Sequence, residues 1–201
     1  MNVLGIDPGM AAFGVAVVDL SANKVLRLDV IETAKSDRKR GVRASDDNLR
    51  RAQEIVVGLK KIIRSYDSDH VMPCGHYGGT SFAAICAESM SFPRNSSSSA
   101  KIGYSWGIIA TIADHLGLPI VQASPQEIKK TLCGRKDASK DDVEDAVRAL
   151  YVGAKVEARI KKSAHNHAWD ALSAVASCME SDVLKMAMRL DGGSTRRGGG
   201  P

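Results

Sequence analysis

The chain has 201 residues, of which 44% are hydrophobic and 25% are charged. This balance is typical of a soluble globular protein and excludes a disordered chain. The formal net charge of +5 favours an anionic partner, but aromatic residues make up only 4%, too few for a platform on which bases stack. No apolar run reaches the roughly 18 residues of a membrane span, and no basic segment leads a hydrophobic one at the N-terminus. We therefore expect no membrane contact and no signal peptide.

The chain contains four widely spaced cysteines: Cys74, Cys86, Cys133 and Cys178. They form no CxxC pair, and we interpret them as free thiols of a reducing cytoplasm. His70 and His76 flank Cys74, which leaves a zinc site as an alternative. Structural zinc usually has four ligands, and no fourth ligand is obvious nearby.

Three hydrophobic segments open the chain. Residues 2–8 and 13–20 are rich in Val, Leu, Ile and Ala and are separated by a Pro-Gly turn. Residues 24–33 alternate apolar and polar side chains, the pattern of a half-exposed strand. Three consecutive strands predict an antiparallel meander.

Helices and short strands are predicted to follow. The expected elements, in order, are a basic loop at 35–43, a helix at 46–66, a loop at 67–81, a strand at 82–89, a mobile serine-rich loop at 93–99, a helix at 100–116, a strand at 118–122, helices that begin at the caps Ser124 and Ser139, and a long helix at 164–186. We therefore predict one α/β domain over residues 1–190, whose mixed sheet combines the meander with parallel strands and is flanked by helices. Residues 191–201, rich in Gly and containing two Arg, predict a disordered tail.

Four polar side chains are predicted to meet at one edge of the sheet. Asp7 ends the first strand and Glu88 ends the fourth, which places both at the carboxyl edge where open α/β folds have their sites. His167 and Asp170 are three residues apart and share one face of the last helix. Apolar neighbours on that helix would pack it on the sheet and bring this pair beside the two strand-end acids.

A metal would explain such a cluster. Three carboxylates and an imidazole repel or neutralise one another unless cations offset their charge. Carboxylate oxygens favour magnesium or manganese, and two such ions can activate a water and stabilise the leaving oxygen of a phosphodiester. The alternative is that each residue is an ordinary capping or surface side chain, which is how we interpret the nearby His165.

The chain resembles the RuvC family of Holliday-junction resolvases. The shared motifs occur in the same order as in the family and extend from about residue 2 to residue 180. The motifs are Gly5-Ile6-Asp7-Pro8-Gly9, Phe13-Gly14-Val15-Ala16, the strand-end Glu88, Ala138-Ser139-Lys140 and His167-Ala168-Trp169-Asp170-Ala171-Leu172. The first motif alone also occurs in other ribonuclease H-like proteins, and the ordered set is much more specific.

The resemblance implies a ribonuclease H-like fold, a homodimer and magnesium-dependent symmetric nicking of four-way DNA junctions. Its motifs assign two Mg²⁺ ions, replaceable by Mn²⁺, to Asp7, Glu88, His167 and Asp170. His167 stands where many members have an acid, although some resolvases use histidine.

The resemblance also implies DNA contacts. Lys140 and either Lys129 or Lys130 match the family's basic residues near the scissile phosphate, a role that suits a flexible point charge. Phe92 is the candidate for an aromatic wedge at the junction centre, one position later than the commonest spacing. The remaining candidate DNA-binding residues are Lys136, Arg38, Lys39 and Arg40.

The helix at 100–116 is the candidate dimer contact. Ile108 and Ile112 extend its apolar stripe further round than packing on one face needs. A junction has approximate two-fold symmetry and needs paired cuts, which favours an isologous dimer. The alternative is that all of this surface belongs to the core of one copy.

Several segments depart from the family pattern. The connection at 67–81 is long, and the Ser96 to Ser99 run and the basic loop look divergent, as is typical of phage or viral members. We expect the protein in the cytoplasm of a bacterium or of a virus-infected cell. The main hypothesis is a junction-resolving endonuclease; the alternatives are a broader branched or flap DNA nuclease, a non-catalytic junction-binding protein and a ribonuclease H.

Overall fold

The computed structural model describes residues 1–37, 41–67, 80–90 and 95–186. The strands are β1 (Asn2–Asp7), β2 (Ala12–Asp19), β3 (Lys24–Glu32), β4 (Phe82–Glu88) and β5 (Ile120–Ala123). The α-helices are α1 (Ala44–Arg64), α2 (Ser96–Leu116), α3 (Pro125–Cys133), α4 (Lys140–Leu150) and α5 (His165–Cys178). This order is the predicted one.

The five strands form one mixed sheet in the order β3-β2-β1-β4-β5. β1, β2 and β3 pair antiparallel, and β1, β4 and β5 pair parallel, which confirms the predicted meander with parallel strands. Ile6 of β1 lies opposite Ala87 of β4. Because the two strands run in the same direction, the next residues, Asp7 and Glu88, end at the same edge of the sheet.

Helices cover both faces of the sheet and separate its core into two layers. On one face, α1 and α2 pack on the side chains of residues such as Leu4 and Ile6. On the other face, α3, α4 and α5 pack on residues such as Val3 and Ala16. Alternate residues of β1 therefore serve different layers, as the two-residue period of a strand requires.

Two glycines allow α5 to lie directly on the backbone of the sheet. A Cβ atom at Gly14 of β2 would lie 1.9 Å from the carbonyl oxygen of His167, and one at Gly5 of β1 would lie 2.5 Å from that of Ala171. Any larger residue at these positions would force the helix away from the sheet. The close approach brings the first turn of α5 to the end of β1.

Two predicted boundaries are wrong. The serine run is the first turn of α2 and not a loop, because the side chain of Asn95 accepts hydrogen bonds from the N–H groups of Ser97 and Ser98. Asn is a strong N-cap, so the helix can begin here although the serine run lacks the apolar residues that would predict a helix. The long helix at 164–186 is interrupted after Cys178, and helical structure resumes at residue 182.

Several predictions fall on residues outside the described ranges. These are the DNA-binding candidates Arg38, Lys39, Arg40 and Phe92, the zinc alternative at His70, Cys74 and His76, and the tail at 191–201. Within the described ranges, the cysteines are free, as predicted. No described helix has the length and apolar content that crossing a membrane would require.

Candidate active site

Three predicted metal ligands meet where α5 crosses the end of β1. One ligand atom each from Asp7, His167 and Asp170 lies within 4.8 Å of the other two. The imidazole Nδ1 of His167 lies 2.7 Å from Oδ2 of Asp7. All three residues are partly buried, so their charges are only partly screened by solvent, and the cluster has the composition and spacing of a cation site.

Glu88 flanks this cluster and is not part of the group within 4.8 Å. The pKa of Glu88 is raised to about 7, mainly by burial and further by the nearby carboxylates of Asp7 and Asp170, while Lys140 acts in the opposite direction. Burial and the charge of Asp7 likewise raise the pKa of Asp170. Of the four predicted side chains, the structure brings Asp7, His167 and Asp170 together and places Glu88 beside them, outside that group.

Lys140 brings a positive charge to the acidic edge. Its Nζ lies 3.6 Å from Oδ2 of Asp170, and 80% of its side chain is exposed. Lys140 is the first residue of α4, after the N-cap Ser139, whose hydroxyl accepts a hydrogen bond from the N–H of Asp142. An exposed ion pair of this kind is weak. The ammonium group can therefore leave Asp170 and contact a ligand at little cost.

A cleft of about 100 Å³ joins the acids to the basic residues. Glu88 and Asp170 line it from one side, and Lys129 and Lys140 line it from α3 and α4. Of the two lysines that the sequence left as alternatives, Lys129 lines this cleft and Lys130 does not. Lys136 is exposed in the connection between α3 and α4 and is not among the residues that line the cleft.

A second cavity of about 140 Å³ lies on the α2 side of the same acids. Asp7 and Glu88 form part of its wall together with Met90, Ile102 and Trp106. The acidic edge is thus open on both sides of Glu88, with lysines on one side and apolar residues on the other.

Sequence reasoning missed a buried arginine that fixes the turn after Asp7. Arg51 of α1 is 2% exposed, and it donates to the hydroxyl of Thr33 at 2.8 Å and to the carbonyl of Met10 at 3.0 Å. Charge-assisted hydrogen bonds of this kind are strong. The spacing of the helix could have predicted this burial, because Arg51 lies four residues before Ile55 on the buried face of α1.

The mixed sheet and its acidic edge define a metal-dependent nuclease of the ribonuclease H-like class. A sequence model described as crossover junction endodeoxyribonuclease RuvC matches residues 3–179. The chain therefore belongs to the RuvC family of crossover junction endodeoxyribonucleases.

Relatives support this assignment along most of the chain. The RuvC protein of Moorella thermoacetica is 30% identical over 152 residues, which cover 75% of this chain and 77% of that protein. The RuvC protein of a Synechococcus species is 32% identical over 149 residues, covering 73% of this chain and 81% of that protein.

Solved structures share the fold. RuvC of T. thermophilus in complex with a Holliday junction substrate has a TM-score of 0.61 and 23% identity, covering 86% of this chain and 92% of that one. The yeast mitochondrial Holliday junction resolvase Ydc2 has a TM-score of 0.53 and 10% identity, covering 96% of this chain and 85% of that one.

Proposed function

We propose that this chain resolves four-way DNA junctions by metal-dependent hydrolysis of one phosphodiester in each of two strands. The observation that carries the proposal is the convergence of Asp7, His167 and Asp170 within 4.8 Å. Family membership supports the same activity, and the solved relative named for its Holliday junction complex supports a junction as the substrate. We place this reaction in the cytoplasm of a bacterium or of a virus-infected cell.

The acidic cluster fits divalent cations. Two carboxylates and an imidazole with ligand atoms this close suit Mg²⁺ or Mn²⁺, and we propose two Mg²⁺ ions that Mn²⁺ can replace. Bound ions of this kind supply an activated water and stabilise the leaving oxygen. Asp7, His167 and Asp170 would hold them together with Glu88, whose repulsion from Asp7 and Asp170 a cation would offset.

The lysines of the cleft would position the phosphate. Lys129 and Lys140 line the same cleft of about 100 Å³ as Glu88 and Asp170, so a phosphate held by both ammonium groups would lie beside the acids. Lys136 would contact the flanking strand. Four further candidates keep their proposed roles in DNA binding, Phe92 as a junction wedge and Arg38, Lys39 and Arg40 as phosphate contacts.

A groove between α1 and α2 is our candidate for the dimer contact. It encloses about 700 Å³ and runs over Gly103 and Gly107 of α2. A Cβ atom at either glycine would meet no atom within 4 Å, so a second helix can approach closely there. Ile108 and Ile112 line the groove but are less than a tenth exposed, so the surplus apolar surface expected from them is buried; the exposed lining includes Gly103, Tyr104 and Gly107.

The decisive experiment compares four labelled substrates with Mg²⁺: an immobile four-way junction, a flap, a plain duplex and an RNA–DNA hybrid. We expect paired, symmetric nicks in the junction and slow cleavage of the others. Faster cleavage of the flap would overturn the proposal in favour of a broader branched-DNA nuclease. Preference for the hybrid would indicate a ribonuclease H, and junction binding without cleavage would indicate a non-catalytic protein.

A further inference from the structure

A basic segment runs along the outer edge of the sheet and has no part in the site described above. It is the connection between α4 and α5 at residues 154–164, which we call the edge segment. Val156 forms a parallel bridge with Leu28 of β3, and the N–H of Glu157 donates to the carbonyl of Leu28 at 2.9 Å. The edge segment therefore covers the free edge of β3 and runs in the direction of β3.

That direction leads to the acidic edge. Glu32, the last residue of β3, pairs with Ala12, which follows the turn after Asp7. The edge segment ends in a 3-10 turn, Lys162–Ala164, that continues directly into α5. Lys162 is thus five residues before His167, at the helix end that contacts Asp7.

A buried carboxylate anchors the edge segment to the sheet. Asp29 of β3 is fully buried, and its oxygens accept hydrogen bonds from the guanidinium groups of Arg27 and Arg159. A buried carboxylate is costly unless it is paired, and Arg159 is one of its two guanidinium partners, which ties the edge segment to β3. Nearer to α5, Nε2 of His165 lies 3.1 Å from the carbonyl oxygen of Ile160.

The lysines of the edge segment remain available to a ligand. Lys155, Lys161 and Lys162 are exposed, and their ammonium groups have no partner among the described residues. Glu157, the single acid of the segment, is partly buried and raises the pKa of Arg27 through its charge. The exposed side of the segment is therefore positively charged.

We propose that Lys161 and Lys162 bind backbone phosphates of the DNA that leaves the active site on the β3 side. Lys129 and Lys140 line the cleft beside Glu88, which ends β4, the strand on the other side of β1 from β3. Cations then stand on both sides of the acids, and DNA crossing the edge would be held at two places. Such contacts position DNA without reading its sequence. This inference rests on the proposed junction cleavage.

The test is the salt dependence of junction binding by the full chain in EDTA, followed by cleavage at saturating protein with Mg²⁺. For Lys161→Ala/Lys162→Ala we expect binding about tenfold weaker and a slope of log K against log salt that is smaller by about 2, since each phosphate contact contributes about 0.9. The cleavage rate at saturation should match that of the wild type.

Two variants serve as controls. Lys161→Arg/Lys162→Arg keeps the charges and should retain wild-type binding. Lys24→Ala/Arg64→Ala removes two exposed charges at the opposite end of the sheet and should leave the slope unchanged. An unchanged slope for the edge-segment variant would overturn this inference alone, and so would a loss of the saturated rate. If the wild type neither binds nor cleaves junctions, the proposed function fails instead.

Discussion

Nδ1 of His167 lies 2.7 Å from Oδ2 of Asp7, and this contact joins α5 to the end of β1. The hydrogen bond to Asp7 is the main reason that the pKa of His167 is raised, and the charges of Asp7 and Asp170 add to it. Both residues belong to the proposed ligand set. A proton on the imidazole and a metal ion therefore compete for this position, because a ligating histidine is neutral.

Replacing Asp7 by asparagine should abolish cleavage and preserve junction binding. The change keeps the shape of the side chain but removes a ligand charge, which should slow the reaction about a thousandfold or more. Folding should survive, because fewer negative charges then face Glu88 and Asp170. Single-turnover cleavage and gel-shift titrations measure the two effects. A rate near that of the wild type would show that Asp7 is not a metal ligand.

Replacing His167 by aspartate should change the preferred metal. Imidazole nitrogen suits the transition metals better than Mg²⁺, whereas carboxylate oxygen suits Mg²⁺ well. We expect the ratio of the Mn²⁺-supported to the Mg²⁺-supported cleavage rate to fall severalfold in His167→Asp. His165→Asp is the matched control, since His165 contacts the Ile160 carbonyl and should leave the ratio unchanged. Equal ratios in all three proteins would argue against ligation by His167.

The metal-free protein should lose stability as the pH rises from about 5 to 8. Burial, with the charges of Asp7 and Asp170, raises the pKa of Glu88 from its ordinary 4.5 to about 7, so within this window the folded state binds more protons than the unfolded state. The pKa of His167 is also raised in the folded state. Its protonation therefore contributes stability that is fully present below the ordinary pKa of 6.5 and is lost as the pH rises through the pKa of the folded state. Thermal unfolding in EDTA measures the trend. Glu88→Gln should show a smaller fall, and an identical fall would contradict the assignment to Glu88.

Removing the Lys140 ammonium should lower the saturated cleavage rate more than junction binding. Lys140 lowers the pKa of both Glu88 and Asp170 and lines their cleft, so Lys140→Ala loses a charge at the reacting phosphate. We expect a rate loss of about a hundredfold, as for one transition-state donor. Lys130→Ala, outside the cleft, should keep the wild-type rate. Weaker binding with an unchanged saturated rate would move Lys140 out of the active site.

Replacing Gly107 by arginine should convert a dimer into a monomer. The added side chain enters the open groove, and a helix interior favours arginine over glycine, so the fold of each copy should be retained. Light scattering should give 21.4 kDa for Gly107→Arg and twice that mass for the wild type. Ala149→Arg, on the exposed side of α4, controls for the added charge. A wild-type monomer would contradict the proposed dimer.

The order of the elements and the meeting of the acids could be predicted because both follow from local patterns. Alternation and apolar runs located the strands, and Asp7 and Glu88 had to share an edge once their strands were parallel neighbours. The spacing of three positions from His167 to Asp170 was enough to place them on one face of α5. The confirmed part of the fold therefore rests on periodicity and strand direction.

Other features depend on contacts that no local pattern records. The turn at Ser97 and Ser98 is helical because Asn95 caps it, although the segment has few apolar residues. Arg51 is buried because Thr33 and Met10 offer it oxygen atoms, which are distant in the sequence. In each case a polar group satisfied by a specific partner overrides the average preference of its residue type.

The backbone contact of α5 with Gly5 and Gly14 makes the spacing of the ligands a property of the apo fold. His167 and Asp170 reach Asp7 because no side chain separates the helix from β1 and β2, so the ligand set is formed by core packing before any cation arrives. Little of the free energy of cation binding is then spent on ordering the protein. A chelator should therefore inhibit cleavage reversibly without unfolding the protein. If His167 is a ligand, as proposed, a single exchange at position 167 would alter the metal preference while the two glycines keep the helix in place.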